Sequence, residues 1–148
     1  MRLVVQRTNG VEVWIDDRLH SQTGAGLLVL FGTKHGDSEK SCEYLADKVV
    51  NLRIFEDSEH KMNLSALDLS AEIMAVSQFT LYADTRKGRR PAFTEAMEPV
   101  QAERLYNRFV ELVSASGLVT RSGKFGAKMD VRFDNYGPVT IILDHDLP

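Results

Sequence analysis

Apolar positions recur with two different periods along the chain, and the changes from one to the other mark out its elements. β-Branched and aromatic residues crowd into RLVVQRT (2–8), VEVWI (11–15) and GLLVLFGT (26–33), with Asn9-Gly10 and Asp16-Asp17 as turn signals. These segments predict strands, with 11–15 as a hairpin arm. From Asp37 or Ser38, either one suited to an N-cap, Cys42, Leu45, Ala46, Val49 and Val50 lay a single stripe along a helix. RIFED (53–57) and EIMAVSQFTL (72–81) predict strands again, and SEHKMNLSALDLS between them reads as an irregular connection. A second helix begins near Pro99, carries Ala102, Leu105, Tyr106, Phe109, Leu112 and Val113 on one face, and stops at Gly117. MDVRF (129–133) and VTIIL (139–143) predict two closing strands. The expected fold is α/β with mixed α+β character: a single domain, residues 1–148, whose curled mixed sheet is covered by two amphipathic helices. Periodicity leaves the strand order open.

A chain of 148 residues hides about 68–70% of its unfolded surface without a covalent staple. No apolar run reaches the roughly 18 residues of a membrane span. MRLVVQRTNG turns polar too early for a secretory signal, so a cytoplasmic protein with no membrane partner is expected. The lone Cys42 excludes an internal disulfide and a multi-cysteine zinc site, and its place on an apolar helical face predicts a packed thiol. Net charge is −3, which argues against a general nucleic-acid binder. TRKGRR (85–90) nevertheless gathers Arg86, Lys87, Arg89 and Arg90 with no acid, and outside it 14 basic residues face 21 acidic ones. A cationic patch and a solvated loop are both open readings of this segment.

The histidines offer no catalytic pattern. His20, His35, His60 and His145 fall in polar stretches expected to be loops, and none has a partner at metal-ligand spacing. No Walker-type loop is present, and GAGLL (24–28) precedes a strand where a dinucleotide fingerprint follows one, so no metal or cofactor is expected. AVSQFTLYADTRKGRRP (75–91) remains: a buried-type strand that ends in hydroxyl and amide side chains and runs into the cationic loop. Ser77 and Thr80 are possible nucleophiles, but no base is assigned to them and the nucleophile-elbow glycines are missing. Their hydroxyls fit equally well as hydrogen-bonding caps, or the stretch contributes backbone N–H groups to a developing oxyanion. DNYGPVTI (134–141) raises a separate question, because Gly137 and Pro138 stand at the mouth of a β-branched run where neither suits a strand.

QRT near the start, GAGLLVLFG, RIFEDSEHKMNLS, SQFTLYAD, GRRPAF, GKFGAKM and NYGPVT resemble, in this order and nearly end to end, the D-aminoacyl-tRNA deacylases. SQFTLYAD and NYGPVT are specific to that family. The resemblance implies a cytoplasmic homodimer, barrel-like in its sheet, that takes D-aminoacyl-tRNA as substrate. It implies hydrolysis of the ester between the D-amino acid, or mischarged glycine, and the terminal adenosine, with no metal or cofactor. It also implies that Gly137 and Pro138 form a cis peptide lent to the partner's active site. There their carbonyls would hold the substrate amino group and leave no room for an L side chain. Ser77, Gln78, Phe79 and Thr80 match the strand that lines the scissile ester, chiefly through main-chain groups, with the tRNA 2′-hydroxyl assisting. Arg7 matches the residue that braces the Gly-Pro loop by bonding its carbonyls; an edge-strand surface charge is the alternative. Phe125 and Met129 match a segment near the terminal adenosine, with core packing as the alternative. Tyr136 departs from the family, which commonly has a small acidic or polar residue there, and this bears on the width of the pocket mouth. The rival readings are a tRNA-binding module without chemistry and a small-molecule esterase with Thr80 as nucleophile.

Overall fold

The computed structural model describes residues 1–146. A five-stranded sheet forms its centre, in the order β10 (Thr140–Asp144), β1 (Arg2–Thr8), β4 (Gly26–Gly32), β7 (Glu72–Ser77), β8 (Thr120–Ser122). β1 runs antiparallel to both β10 and β4, whereas β4, β7 and β8 run parallel. Parallel neighbours need crossover connections, and α1 (Glu39–Asn51) and α3 (Pro99–Ala115) supply them. Both helices lie on one face, burying Leu45, Val49, Leu105, Phe109 and Val113 against Leu3, Val5, Leu27, Val29 and Ile73. A second sheet, β3 (Arg18–Thr23), β2 (Val11–Ile15) and β9 (Asp130–Phe133), covers the other face, with Val11 and Val13 packed on Leu28, Met74 and Val76. This explains why β4 and β7 read as unbroken apolar runs: each is covered on both sides. Their approach is close, since a Cβ on Gly26 would fall within 1.8 Å of the Glu72 carbonyl oxygen.

The predicted helices are present, and Pro99 opens the second as expected, with the Glu98 carboxylate accepting from the N–H groups of Val100 and Gln101. Ser38 is the N-cap of α1 but its side chain makes no capping bond. Cys42 is buried and donates to the Leu105 carbonyl at 3.3 Å, and burial pushes its thiol up to about 12.

The departures from the predicted elements have local causes. β3 was not expected, because RLHSQT carries no apolar alternation; it forms because Asp16 and Asp17 both adopt positive φ in a two-residue turn that folds it back on β2. His20 is therefore in a strand and not a loop. Ser65 and Asp68 make a reciprocal capping box that turns part of the supposed irregular connection into α2 (Ala66–Leu69), and β5 (Phe55–Glu56) pairs with β6 (Met62–Leu64) beside it. The predicted strand 72–81 ends at Ser77, and Phe79–Tyr82 wind into a 3₁₀ turn.

Candidate active site

At the end of β7 the ladder stops when the Gln78 N–H donates to the Phe31 carbonyl at 2.7 Å. The chain then tightens into the 3₁₀ turn, whose first N–H groups, those of Phe79 and Thr80, cannot be bonded within it. Beside them opens a cavity of about 480 Å³. Phe31 and Val76 come from the central strands, Met97 from just before α3 and Ala102 from its first turn, and Phe125 and Met129 from the segment before β9; Ser77, Gln78 and Phe79 line it as well. The cavity is mostly apolar, and Phe79 is 58% exposed with its edge against Phe93, ring centroids 5.0 Å apart. The Thr80 hydroxyl accepts from the Gln78 side-chain amide. Among the described residues no imidazole, carboxylate or amine bonds to it. Beneath the cavity Tyr106 donates to the Ala75 carbonyl at 2.8 Å, and burial pushes its phenol up to about 12.

The second group of predicted residues lies elsewhere. The Gly137–Pro138 peptide is cis, and Gly137 has φ +131°, a conformation that favours glycine. Around it the loop 134–139 is bonded at almost every turn. Tyr136 N–H donates to the Arg7 carbonyl (2.8 Å), Arg7 N–H to the Val139 carbonyl (3.1 Å), and Val139 N–H to Asn135 Oδ1 (3.1 Å). The Arg7 guanidinium donates through Nε to the Tyr136 carbonyl at 3.1 Å and through Nη1 to the Ile54 carbonyl at 2.9 Å. A Cβ on Gly137 would fall 2.8 Å from Arg7 Nη2. Asp134 ties the loop to Asn9 and Thr8. Partial burial pushes Asp134 upward, but those hydrogen bonds prevail and hold it below the usual carboxylate range.

This geometry removes the reading of Arg7 as an edge-strand surface charge: β1 lies between β10 and β4, and Arg7 is 5% exposed, continuing the buried parity of Leu3 and Val5. Its side chain bonds one carbonyl of the Gly-Pro loop, that of Tyr136, and outside the loop that of Ile54. Ser77 pairs with Phe31, which pairs with Leu3, whereas Val139 lies level with Arg7. Four residues along a strand and three strands across separate the two groups by roughly 20 Å.

The model of the D-Tyr-tRNA(Tyr) deacylase family matches residues 4–144. The chain belongs to that family. A D-aminoacyl-tRNA deacylase of Halothermothrix orenii is 54% identical over 144 residues, 97% of each chain. One of Thermotoga petrophila is 51% identical over the same shares of both chains. Among solved structures, a c-Myc DNA Unwinding Element Binding Protein superimposes with a TM-score of 0.92 at 40% identity, covering 99% of this chain and 100% of its own. A probable eukaryotic D-amino acid tRNA deacylase has the same fold at 19% identity, with a TM-score of 0.82 and coverage of 97% and 98%.

In this deacylase chain the structure therefore brings Ser77, Gln78 and Phe79 together with Phe125 and Met129, and sets Gly137, Pro138 and Arg7 apart from them. Phe125 and Met129 pack on the core clusters and also line the cavity, so the packing expected of them does not remove them from it. The cationic loop is less free than its sequence implies. Arg86 forms a two-pronged pair with Asp84 (2.9 and 2.7 Å), whose carboxylate is pushed down to about 2 by the hydrogen bonds from Arg86. Lys87, Arg89 and Arg90 are exposed and make no ion pair among the described residues. Sequence reasoning missed Phe31, Met97 and Ala102 as lining and Ile54 as a partner of Arg7; only the parity of β1 signalled that Arg7 points inward. Among the described residues no three His, Cys, Asp or Glu side chains gather as a metal site, and no helix is long and apolar enough to cross a membrane.

Proposed function

We propose that this chain, acting as one domain in a cytoplasmic homodimer, hydrolyses the ester between a D-amino acid and the terminal adenosine of tRNA. Membership of the deacylase family over residues 4–144 supports the activity. The observation that carries the mechanism is the clamp on residues 134–139. Buried Arg7 and a ring of hydrogen bonds hold a turn that has no partner in its own protomer's cavity. Such a turn suits donation to a second copy. Gly137 and Pro138 then enter the partner's cavity, their carbonyls hold the substrate ammonium, and the fixed backbone occupies the volume an L side chain would need. Glycine, with no side chain, passes the same test. In this arrangement the sheets of the two protomers form the barrel-like dimer.

In the cavity the ester carbonyl lies against the start of the 3₁₀ turn. Water adds to the carbonyl carbon, the bond to the ribose 3′-oxygen breaks, and the carboxylate and the free 3′-hydroxyl leave. In this reading the N–H groups of Phe79 and Thr80, left free at the start of the turn, receive the developing oxyanion, a contact of the kind that contributes about 10²–10³ in rate. The 2′-hydroxyl of the same ribose assists proton transfer, because the Thr80 hydroxyl has no base beside it. Phe125 faces the adenine, and Lys87, Arg89 and Arg90 meet the acceptor-stem phosphates. The reading needs no cofactor.

Hydrolysis of matched D- and L-tyrosyl-tRNA tests the proposal. Release of tyrosine from the D ester alone is expected; equal release from both, or from neither, rejects it. Light scattering at micromolar concentration adds the oligomeric state, and a fully active monomer removes the donation step.

A further inference from the structure

The clamp around Gly137 includes one aromatic ring at the surface. Tyr136 is 54% exposed, yet its ring lies over the Arg7 guanidinium, with the centroid 5.0 Å from Cζ. The two residues also meet twice through Tyr136's main chain, at its N–H and at its carbonyl. The bonds from Nε and Nη1 lie in the guanidinium plane and resist sliding within it. They resist tipping out of that plane poorly. With Cζ over the face of the Tyr136 ring, that motion carries the cation off the ring and loses their attraction. Tipping matters because Nη2 is the atom that abuts Gly137, 2.8 Å from the position a Cβ would take. The Tyr136 hydroxyl makes no hydrogen bond among the described residues, so the aromatic face is what the position uses.

We propose that Tyr136 is a positioning residue for chiral selection: its ring holds the Arg7 guanidinium flat against the turn and so fixes where Gly137 stands. This rests on the reading that Gly137 and Pro138 sense the handedness of the substrate. The residue touches no reacting atom. Its contribution is to keep the main-chain wall from yielding, and a wall that yields admits the L side chain it should exclude.

Three variants separate the ring from its bulk and its hydroxyl: Tyr136→Phe, Tyr136→Leu and Tyr136→Ala. With D- and L-tyrosyl-tRNA as probes, Tyr136→Phe should keep the wild-type ratio of D to L hydrolysis. Tyr136→Leu and Tyr136→Ala should lower that ratio about tenfold, as expected for loss of one cation–π contact. Their KM should stay within about twofold of wild type, because no substrate contact is removed. In parallel, the backbone amides of Arg7 and Tyr136 should exchange hydrogen about tenfold faster in the Leu variant and at the wild-type rate in the Phe variant. Equal D-to-L ratios in wild type and Tyr136→Leu overturn the inference, as does a Phe variant as impaired as the Leu one. Wild-type protein that cleaves neither ester defeats the hydrolase reading instead, and the exchange rates then still decide whether the ring holds the turn.

Discussion

At the end of β7 the chain leaves a cavity of about 480 Å³ rimmed by a Phe79 that is 58% exposed; at the mouth of β10 it leaves little slack, Asp134, Asn135, Tyr136 and Val139 all being bonded to β1, to β10 or to one another. The first region is built by withholding contacts. Apolar side chains from three parts of the chain line it, and beside the Ser77 and Gln78 side chains the polar groups on offer are main-chain N–H groups. The second is built by saturating contacts around a buried cation. A surface that must accept many side chains and one ribose gains from the first construction. A surface that must refuse one mirror image gains from the second, because refusal requires that atoms stay where they are when pushed.

The difference is most easily broken at Arg7. Replacing it by Met keeps the stem and removes the fork, leaving the Ile54 and Tyr136 carbonyls without their buried donors. A loss of about 2–4 kcal/mol is expected in urea unfolding. Because a displacement of about 1 Å at a positioning element costs on the order of 10²-fold, hydrolysis of D-tyrosyl-tRNA should fall by at least that much. A variant as stable and active as wild type would mean that the turn is held by something other than the guanidinium.

Gly137→Ala is the next largest effect. At φ +131° an added Cβ is strained, and it meets Arg7 Nη2 at 2.8 Å and Val139 Cγ2 at 2.9 Å. The end of an arginine is usually free to retreat, but this one is buried and bonded on two sides. About 1–3 kcal/mol of destabilisation follows, seen as a melting temperature lowered by about 2–4 °C for each kcal/mol. An unchanged melting temperature would show the turn to be softer than its hydrogen bonds imply.

How much of this was legible beforehand depends on the kind of interaction. Both long helices were readable because each buries a periodic apolar face, and β4 and β7 because both of their faces are covered; β8, three residues long, gave no such run. β3 was not readable either, since its pairing is set by the turn at Asp16-Asp17 and not by its own polar residues. Ser77, Gln78 and Phe79 could be placed by motif, yet Phe31, Met97 and Ala102 join them only through the parallel crossover that sets α3 against the end of β4. Arg7 was nearly readable from the parity it shares with Leu3 and Val5; its bond to Ile54 was not, because 47 residues of chain separate the two.

Thr80→Val sharpens the comparison from the open side. If the cavity acts through main-chain groups, removing this hydroxyl should change D-tyrosyl-tRNA hydrolysis by less than about threefold, since only the Gln78 amide contact is lost. Abolition of turnover together with a trapped acyl-enzyme in the wild type would make the side chain a nucleophile and overturn the main-chain mechanism. Thr80 is an exposed hydroxyl of the 3₁₀ turn, and surface groups of this kind usually contribute little to stability, so the unfolding midpoint should barely move.

The smallest effect separates locked from free groups within one loop. Lys87, Arg89 and Arg90 are unpaired among the described residues, whereas Arg86 is bonded twice to Asp84, a carboxylate pushed down to about 2 that stays ionised at any pH used for tRNA binding. Below that value Asp84 would protonate and release Arg86; above it the pair persists. Each free cation that reaches a phosphate adds about 0.7–0.9 to the slope of log affinity against log salt. Replacing Lys87, Arg89 or Arg90 singly by Gln should therefore lower the slope by close to one, while Arg86→Gln should lower it by half as much or less, because the Asp84 pair must open before Arg86 meets RNA. Equal slopes for all four variants would show that the pair opens freely on the acceptor stem, and no change in any of them would place the tRNA contact outside residues 85–90.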